Sequence, residues 1–110
     1  MYDNELKLIK RTPTTARGPR AQVIYTETSR ATFCEVVPIS RDEFFRGAQS
    51  GIQAEYEFKI NPIEYNNEKI VEFEGLRYSI YRTYQPSPDE LELYAEFVPG
   101  VASGGQNDDS

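Results

Sequence analysis

The sequence predicts a mainly β fold: a small β-barrel or sandwich of six to seven strands, with one short helix (about 41–50) on an inserted loop. Three observations carry this. Aromatic residues make up 13% of the chain, all Tyr and Phe, and together with β-branched residues they suit pleated, half-buried surfaces. Several segments alternate apolar and polar residues with the period of two of a one-sided strand. Turn-forming residues separate those segments at short intervals, as in small all-β domains. At 110 residues the chain is long enough for one domain with its own core. We expect residues 1–98 to form that domain and 99–110 to be a flexible tail, because the tail's Gly-, Ser- and Asp-rich sequence holds little that could pack.

Residues 5–10 alternate and read as the first strand, and the Pro- and Arg-rich segment 11–20 reads as a loop. Segments 21–28 and 32–39, rich in Val, Ile, Thr, Tyr and Phe, read as two strands that pair with each other, with Ser29-Arg30-Ala31 between them. The helix signal follows. Ser40 and Glu43 match the Ser-x-x-Glu capping box, in which the hydroxyl accepts from the Glu43 N–H and the carboxylate reaches back to the Ser40 N–H. Asp42 and Glu43 suit the positive end of the helix dipole, and Gly51 suits the position just past the last turn. Residues 53–60 alternate again, with Ala54, Tyr56, Phe58 and Ile60 on one face and Glu55, Glu57 and Lys59 on the other. Asn61-Pro62 stops that strand, Asn66-Asn67 is a turn signal, and 69–74 and 76–84 read as a tight hairpin around Gly75. Segment 86–89 reads as a loop. The last strand, 90–98, is expected to turn Leu91, Leu93, Ala95 and Phe97 inward and Glu90, Glu92, Tyr94 and Glu96 outward.

The net charge of −6 disfavours general nucleic-acid binding, which needs surplus Lys and Arg to displace counterions. The charge is uneven. Residues 6–26 hold Lys7, Lys10, Arg11, Arg17 and Arg20 and no acid, whereas 27–110 hold seven basic and sixteen acidic residues, a net −9. In a homo-oligomer, a basic arm of one subunit could lie on its neighbour's acidic body.

Catalytic parts are scarce. The chain has no His, so Ser-His and Cys-His pairs and imidazole metal sites are excluded. Its one cysteine, Cys34, allows no intrachain disulfide and reads as a core thiol. Glu55 with Glu57, or Glu72 with Glu74, could serve as an acid/base pair, but outward carboxylates are also what a one-sided sheet requires. Asp89, Glu90 and Glu92, and the tail's Asp108-Asp109, match no Ca²⁺ loop. Gly104-Gly105 has no strand and helix around it to make a phosphate loop. The opening Met1-Tyr2-Asp3-Asn4-Glu5 does not read as a secretory signal, and no apolar run reaches membrane-helix length. A soluble protein is expected, with no metal or other cofactor. In the helix, Phe44 and Phe45 point about 100° apart. Either the buried arc is wide or one ring is presented to another subunit.

The run from Cys34 through Pro38, Ser40, Glu43, Phe44 and Phe45 to Gln49 resembles the signature of the phage head–tail joining family: a strand ending in Pro, a small capping residue, then a helix with Glu-aromatic and a nearby Ala. Residues 55–60, 71–80 and 90–97 are similar to that family's later strands. A Trp common in the family before the helix has no counterpart here, and Phe33 or Tyr25 would take over its packing. The resemblance implies a non-enzymatic head-closure or connector subunit in the virion neck, assembled in the host cytoplasm. Its partners would be itself, as a dodecameric ring, the portal or adaptor above and a tail protein below. DNA would pass through the channel without sequence-specific binding, and no membrane is involved. Segment 40–53, with Ser40, Glu43, Phe44, Phe45, Arg46 and Gln49, would face the channel or an adjoining ring. Lys10, Arg11, Arg17 and Arg20 would belong to an inter-subunit arm. Two other readings stay open: a tail-completion or terminator ring, and a small ligand-binding barrel or enzyme using the carboxylates.

Overall fold

A computed structural model describes residues 2–15 and 23–102. The strands are β1 (Asn4–Thr15), β2 (Val23–Pro38), β3 (Ala54–Ile60), β4 (Ile70–Phe73), β5 (Leu76–Ser87) and β6 (Glu90–Ala102). One helix, α1 (Arg41–Gln49), connects β2 to β3, and a single 3₁₀ turn, Pro62–Glu64, precedes β4. Neighbouring strands are antiparallel, and the sheet closes into a barrel in the order β1-β2-β3-β6-β5-β4. The fold is therefore the small β-barrel with one short helix that the sequence predicts.

The barrel interior is filled by alternate residues from all six strands, among them Leu6, Leu8, Cys34, Phe58, Ile60, Val71 and Leu93. Phe58 lies at the centre of an aromatic group, with ring centroids 5.5 Å from Tyr56, 5.4 Å from Phe73 and 6.2 Å from Tyr78. The Cys34 thiol is fully buried, and desolvation pushes its pKa up to about 11.

Several local expectations are corrected. Segments 21–28 and 32–39 are not two paired strands. Their residues 23–28 and 32–38 belong to one strand, β2, and Ser29, Arg30 and Ala31 stay extended because Ile9, Leu8 and Lys7 of β1 lie opposite them. Segment 11–20 is not all loop, since β1 continues to Thr15. Pro13 is tolerated there because, among the described residues, β1 has a partner on one side only at that point, so no second row of bonds needs its missing N–H. Residues 86–87 belong to β5, leaving Pro88-Asp89 as the turn. β6 continues past residue 98 to Ala102, which lies opposite Leu76. The rest of the expected tail, 103–110, lies outside the described residues.

The Gly75 hairpin forms as expected. Glu74 and Gly75 have φ of 53° and 80°, the left-handed pair of a type I′ turn, whose twist matches that of the strands it joins. Neither Phe33 nor Tyr25 packs into the core, and each is 64% exposed.

Beyond the barrel, β1 and β2 continue as a two-stranded ribbon. Among the described residues, β4 pairs with β1 only at Lys7–Ile9, and β3 pairs with β2 only at Glu35–Pro38. The described side chains of residues 10–13 and 24–31 are all exposed. An ion-pair knot holds the foot of this ribbon. The buried Arg77 guanidinium donates to both Glu27 carboxylate oxygens, at 2.9 and 3.0 Å, and reaches Glu72 at 3.5 Å. Arg11 donates to Glu27 from the other side at 3.0 Å. A second knot joins β2 to the loop before β4. Arg30 donates to the buried Glu68 at 3.1 Å, and the other Glu68 oxygen accepts from the Asn66 N–H at 2.8 Å.

Candidate interaction surface

The helix-bearing segment, residues 39–53, leaves the barrel at the end of β2 and returns at the start of β3. The Ser40 cap and the Gly51 stop of α1 form as the sequence predicts. The Ser40 hydroxyl accepts from the Glu43 N–H at 3.1 Å. At the far end Gly51 takes φ of 79°, and the Gly51 and Ile52 N–H groups bond back to the Ala48 and Gly47 carbonyls at 3.1 and 2.8 Å. This folds Ile52 under the helix. A Cβ on Gly47 would lie 3.3 Å from the Ile52 carbonyl oxygen, so a larger residue there would press the return loop back by a few tenths of an ångström.

The way α1 meets the barrel differs from expectation. Its buried residues are Glu43 and Gly47, not an apolar stripe. The Glu43 carboxylate does not complete the capping box. It turns inward, accepting from Arg82 on β5 at 2.6 and 3.2 Å and from the Tyr81 hydroxyl at 2.5 Å. A guanidinium fork and a phenol offer a buried carboxylate more than one N–H of a helix end does. These partners, Arg82 first, hold the Glu43 pKa below the ordinary carboxylate range. The Arg82 guanidinium also lies 3.9 Å from the centre of the Tyr94 ring, a cation–π contact. That contact covers Tyr94, so this residue, expected to face solvent, is buried. Phe97, expected inside, is 38% exposed. It lies at the rim of the barrel, beyond a register shift in the β5–β6 pairing.

With Glu43 facing in, Phe44 and Phe45 face out, at 44% and 58% exposed. The wide buried arc is overturned, and both rings are presented. Their centroids lie 6.1 Å apart, edge to face. Together with Val36, Pro38, Ile39 and Tyr56 they line an open groove of about 730 Å³ at the mouth of the barrel. Phe44 also borders a second hollow, of about 480 Å³, shared with Ile52 and Phe97. Through Tyr56, which contacts Phe58 and Phe73, the groove is continuous with the aromatic core.

The other singled-out residues are scattered. Arg46 and Gln49 are exposed on α1. Lys10 and Arg11 stand on the ribbon, about a strand's length away, where Lys10 Nζ donates to the Asn66 carbonyl at 3.4 Å and Arg11 is committed to Glu27. Arg17 and Arg20 lie outside the described residues. Of the carboxylate pairs, Glu72 is bound to Arg77 while Glu74 sits exposed in the turn, so the two do not act together. Glu55 is exposed.

Glu57 is half-buried beside α1, and its pKa is raised by burial and then by the nearby Glu92. Glu92 accepts from the Tyr94 hydroxyl at 2.6 Å. Alternation within β3 could not find this grouping, because it depends on the register that sets Glu57 opposite Tyr94. Glu57→Gln removes a carboxylate that resists ionisation in the folded state. A raised folded pKa weakens folding as pH climbs through it, so the variant is expected to be more stable than the parent at neutral pH, by about 0.5 kcal/mol. Urea midpoints compared at pH 7 and below pH 4 check this, and the difference should vanish at the lower pH.

No family model matches this chain, and no curated protein matches it.

Proposed function

We propose that this chain is a structural ring subunit in the neck of a tailed bacteriophage, a head-closure or head–tail connector protein. One observation carries the reading. The helix on the inserted loop is fastened to the barrel by a charged clasp and turns two adjacent aromatic rings outward, a poor use of Phe in a lone subunit and a sound one at a protein interface. The segments that resemble the head–tail joining family support it: the Pro-ended strand, the capped helix and the later strands occupy consecutive parts of one barrel. On this reading the protein works through its surfaces and not as an enzyme. Copies form a closed ring, which a dodecamer would match. Portal or adaptor sits above, a tail protein sits below, and the acidic body lets DNA slide through the channel. Segment 40–53 supplies a contact to an adjoining ring or the channel wall.

The test is loss of the gene. Particles lacking the protein are expected to package DNA and then lose it, accumulating beside unattached tails in electron micrographs. Null particles that keep their DNA and carry tails would rule the reading out. Locating the subunit in intact particles separates a neck ring from a tail-terminator ring.

A further inference from the structure

The β1–β2 ribbon leaves the barrel at a defined point. Among the described residues, Ile9–Ser29 is the last pair at which β4 flanks β1, and β2 has no neighbour but β1 from Val23 to Cys34. A two-stranded ribbon is marginal in water, and its own hydrogen bonds do not fix its angle to the barrel. Two ion-pair knots stand at this point, and they grip opposite faces of the ribbon. Strand residues alternate between faces, so Glu27 and Arg30, three apart in an unshifted register, point to opposite sides.

On one face the tie runs to the β4–β5 hairpin. Arg77 of β5 is buried and holds both Glu27 oxygens in a two-bonded fork, the strong and directional form of this contact. Arg11, directly opposite Glu27, donates to the same carboxylate, so both strands of the ribbon are tied in. On the other face the tie runs to the loop between β3 and β4. Arg30 donates to the Glu64 carboxylate at 3.2 Å, to the Glu64 carbonyl and to the buried Glu68. Glu68 orders the loop by accepting from the Asn66 N–H, and the Asn66 carbonyl receives Lys10. Glu27 and Lys10 lie just beyond the Ile9–Ser29 pair, and Arg30 lies just before it. Lys10, Arg11 and Arg30 are the cations of segments 10–13 and 24–31, and each is turned onto its own copy.

We infer that the two knots form a lock on the angle of the ribbon. They hold it as a pre-set arm, and cutting both turns the Ile9–Ser29 pair into a hinge. The basic residues of the ribbon thus act as internal braces. An arm held in advance loses little freedom when it meets another surface, whereas a hinged one must be ordered on contact. The stiffness of the arm is independent of the neck-ring reading, which is decided by the null particles.

The experiment uses the purified full chain with two spin labels, and pulsed electron spin resonance reads the spread of distances between them. One label is on Thr26→Cys, beyond the Ile9–Ser29 pair, and the other on Glu55→Cys of β3, both at exposed positions. Cys34 is fully buried and stays unlabelled. The parent is expected to give one narrow peak. Glu27→Gln cuts the tie to Arg77, and Arg30→Gln cuts the tie to the loop. Each should broaden the peak, and the double variant should lose the single peak altogether. A second label pair within the barrel, Glu55→Cys with Leu76→Cys, should keep the parent's distance in every variant. A parent with a broad distribution would overturn the lock, as would a double variant as narrow as the parent. Equal broadening of the barrel pair would overturn it too, because the knots would then hold the barrel and not the arm.

Discussion

Phe58→Ala is expected to destabilise the protein by about 4 kcal/mol, the upper range for deleting a fully buried aromatic ring. Phe58 is 0% exposed and meets Tyr56, Phe73 and Tyr78 edge-on or tilted. The strands around it are hydrogen-bonded on both sides in a closed barrel, so the wall cannot collapse into the space left behind. In a domain this small, such a loss is a large part of the total stability. Equilibrium unfolding in urea checks it, with a fall in midpoint of about 2 M for an ordinary slope. Phe58→Leu keeps most of the volume and should cost about 1 kcal/mol. A fall of under 1 kcal/mol for the Ala variant would mean that the ring is not packed as described.

The second large effect concerns the clasp. Glu43→Ala is expected to cost about 2 kcal/mol. The Glu43 side chain is only 10% exposed, whereas Arg82 is 42% exposed, so the full penalty for a buried charge left alone does not apply. The loss should be local. A helix of nine residues is not stable by itself, and without Glu43 little else fastens α1 to β5. Amide exchange should therefore show the α1 N–H groups losing protection while β3 and β6 keep theirs. Glu43→Gln, which keeps an oxygen for Tyr81 and Arg82, should fall between.

The clasp also depends on pH. Its folded-state pKa is depressed, chiefly by Arg82, so its contribution is complete above the ordinary carboxylate range and is lost as pH falls through the lowered folded value. The parent should lose stability on acidification more steeply than Glu43→Gln. Equal slopes would mean that the ion pair adds nothing.

Much of the barrel is legible in the sequence because period-two alternation shows directly which residues face in. Ala54, Phe58 and Ile60 on β3, and Leu91, Leu93 and Ala95 on β6, are buried as that pattern predicts. The Ser40 cap, the Gly51 stop and the Glu74-Gly75 turn are legible for a similar reason, since each depends on backbone chemistry within a few residues. Strand lengths are harder to read. Ser29-Arg30-Ala31 resembles a break, yet β1 lies alongside and keeps it extended. Pro13 resembles a stop, yet it falls where the ribbon has a free side.

The sequence by itself determined the fold class, the inward faces of β3 and of β6 as far as Ala95 apart from Tyr94, the place of the helix with its Ser40 cap and Gly51 stop, the burial of Cys34 and the division between a basic segment and an acidic remainder. Each of these is written in near neighbours along the chain. Only the tertiary structure decided which way the helix faces. Ser-x-x-Glu offers Glu43 a bond to its own helix end, but barrel register brings Arg82 and Tyr81 of β5, nearly forty residues away, beneath it. A buried carboxylate takes the partners that satisfy it most completely, and those lie on the barrel wall beneath the helix. That choice turns the helix, and the turn puts Phe44 and Phe45 in solvent at the mouth of the groove.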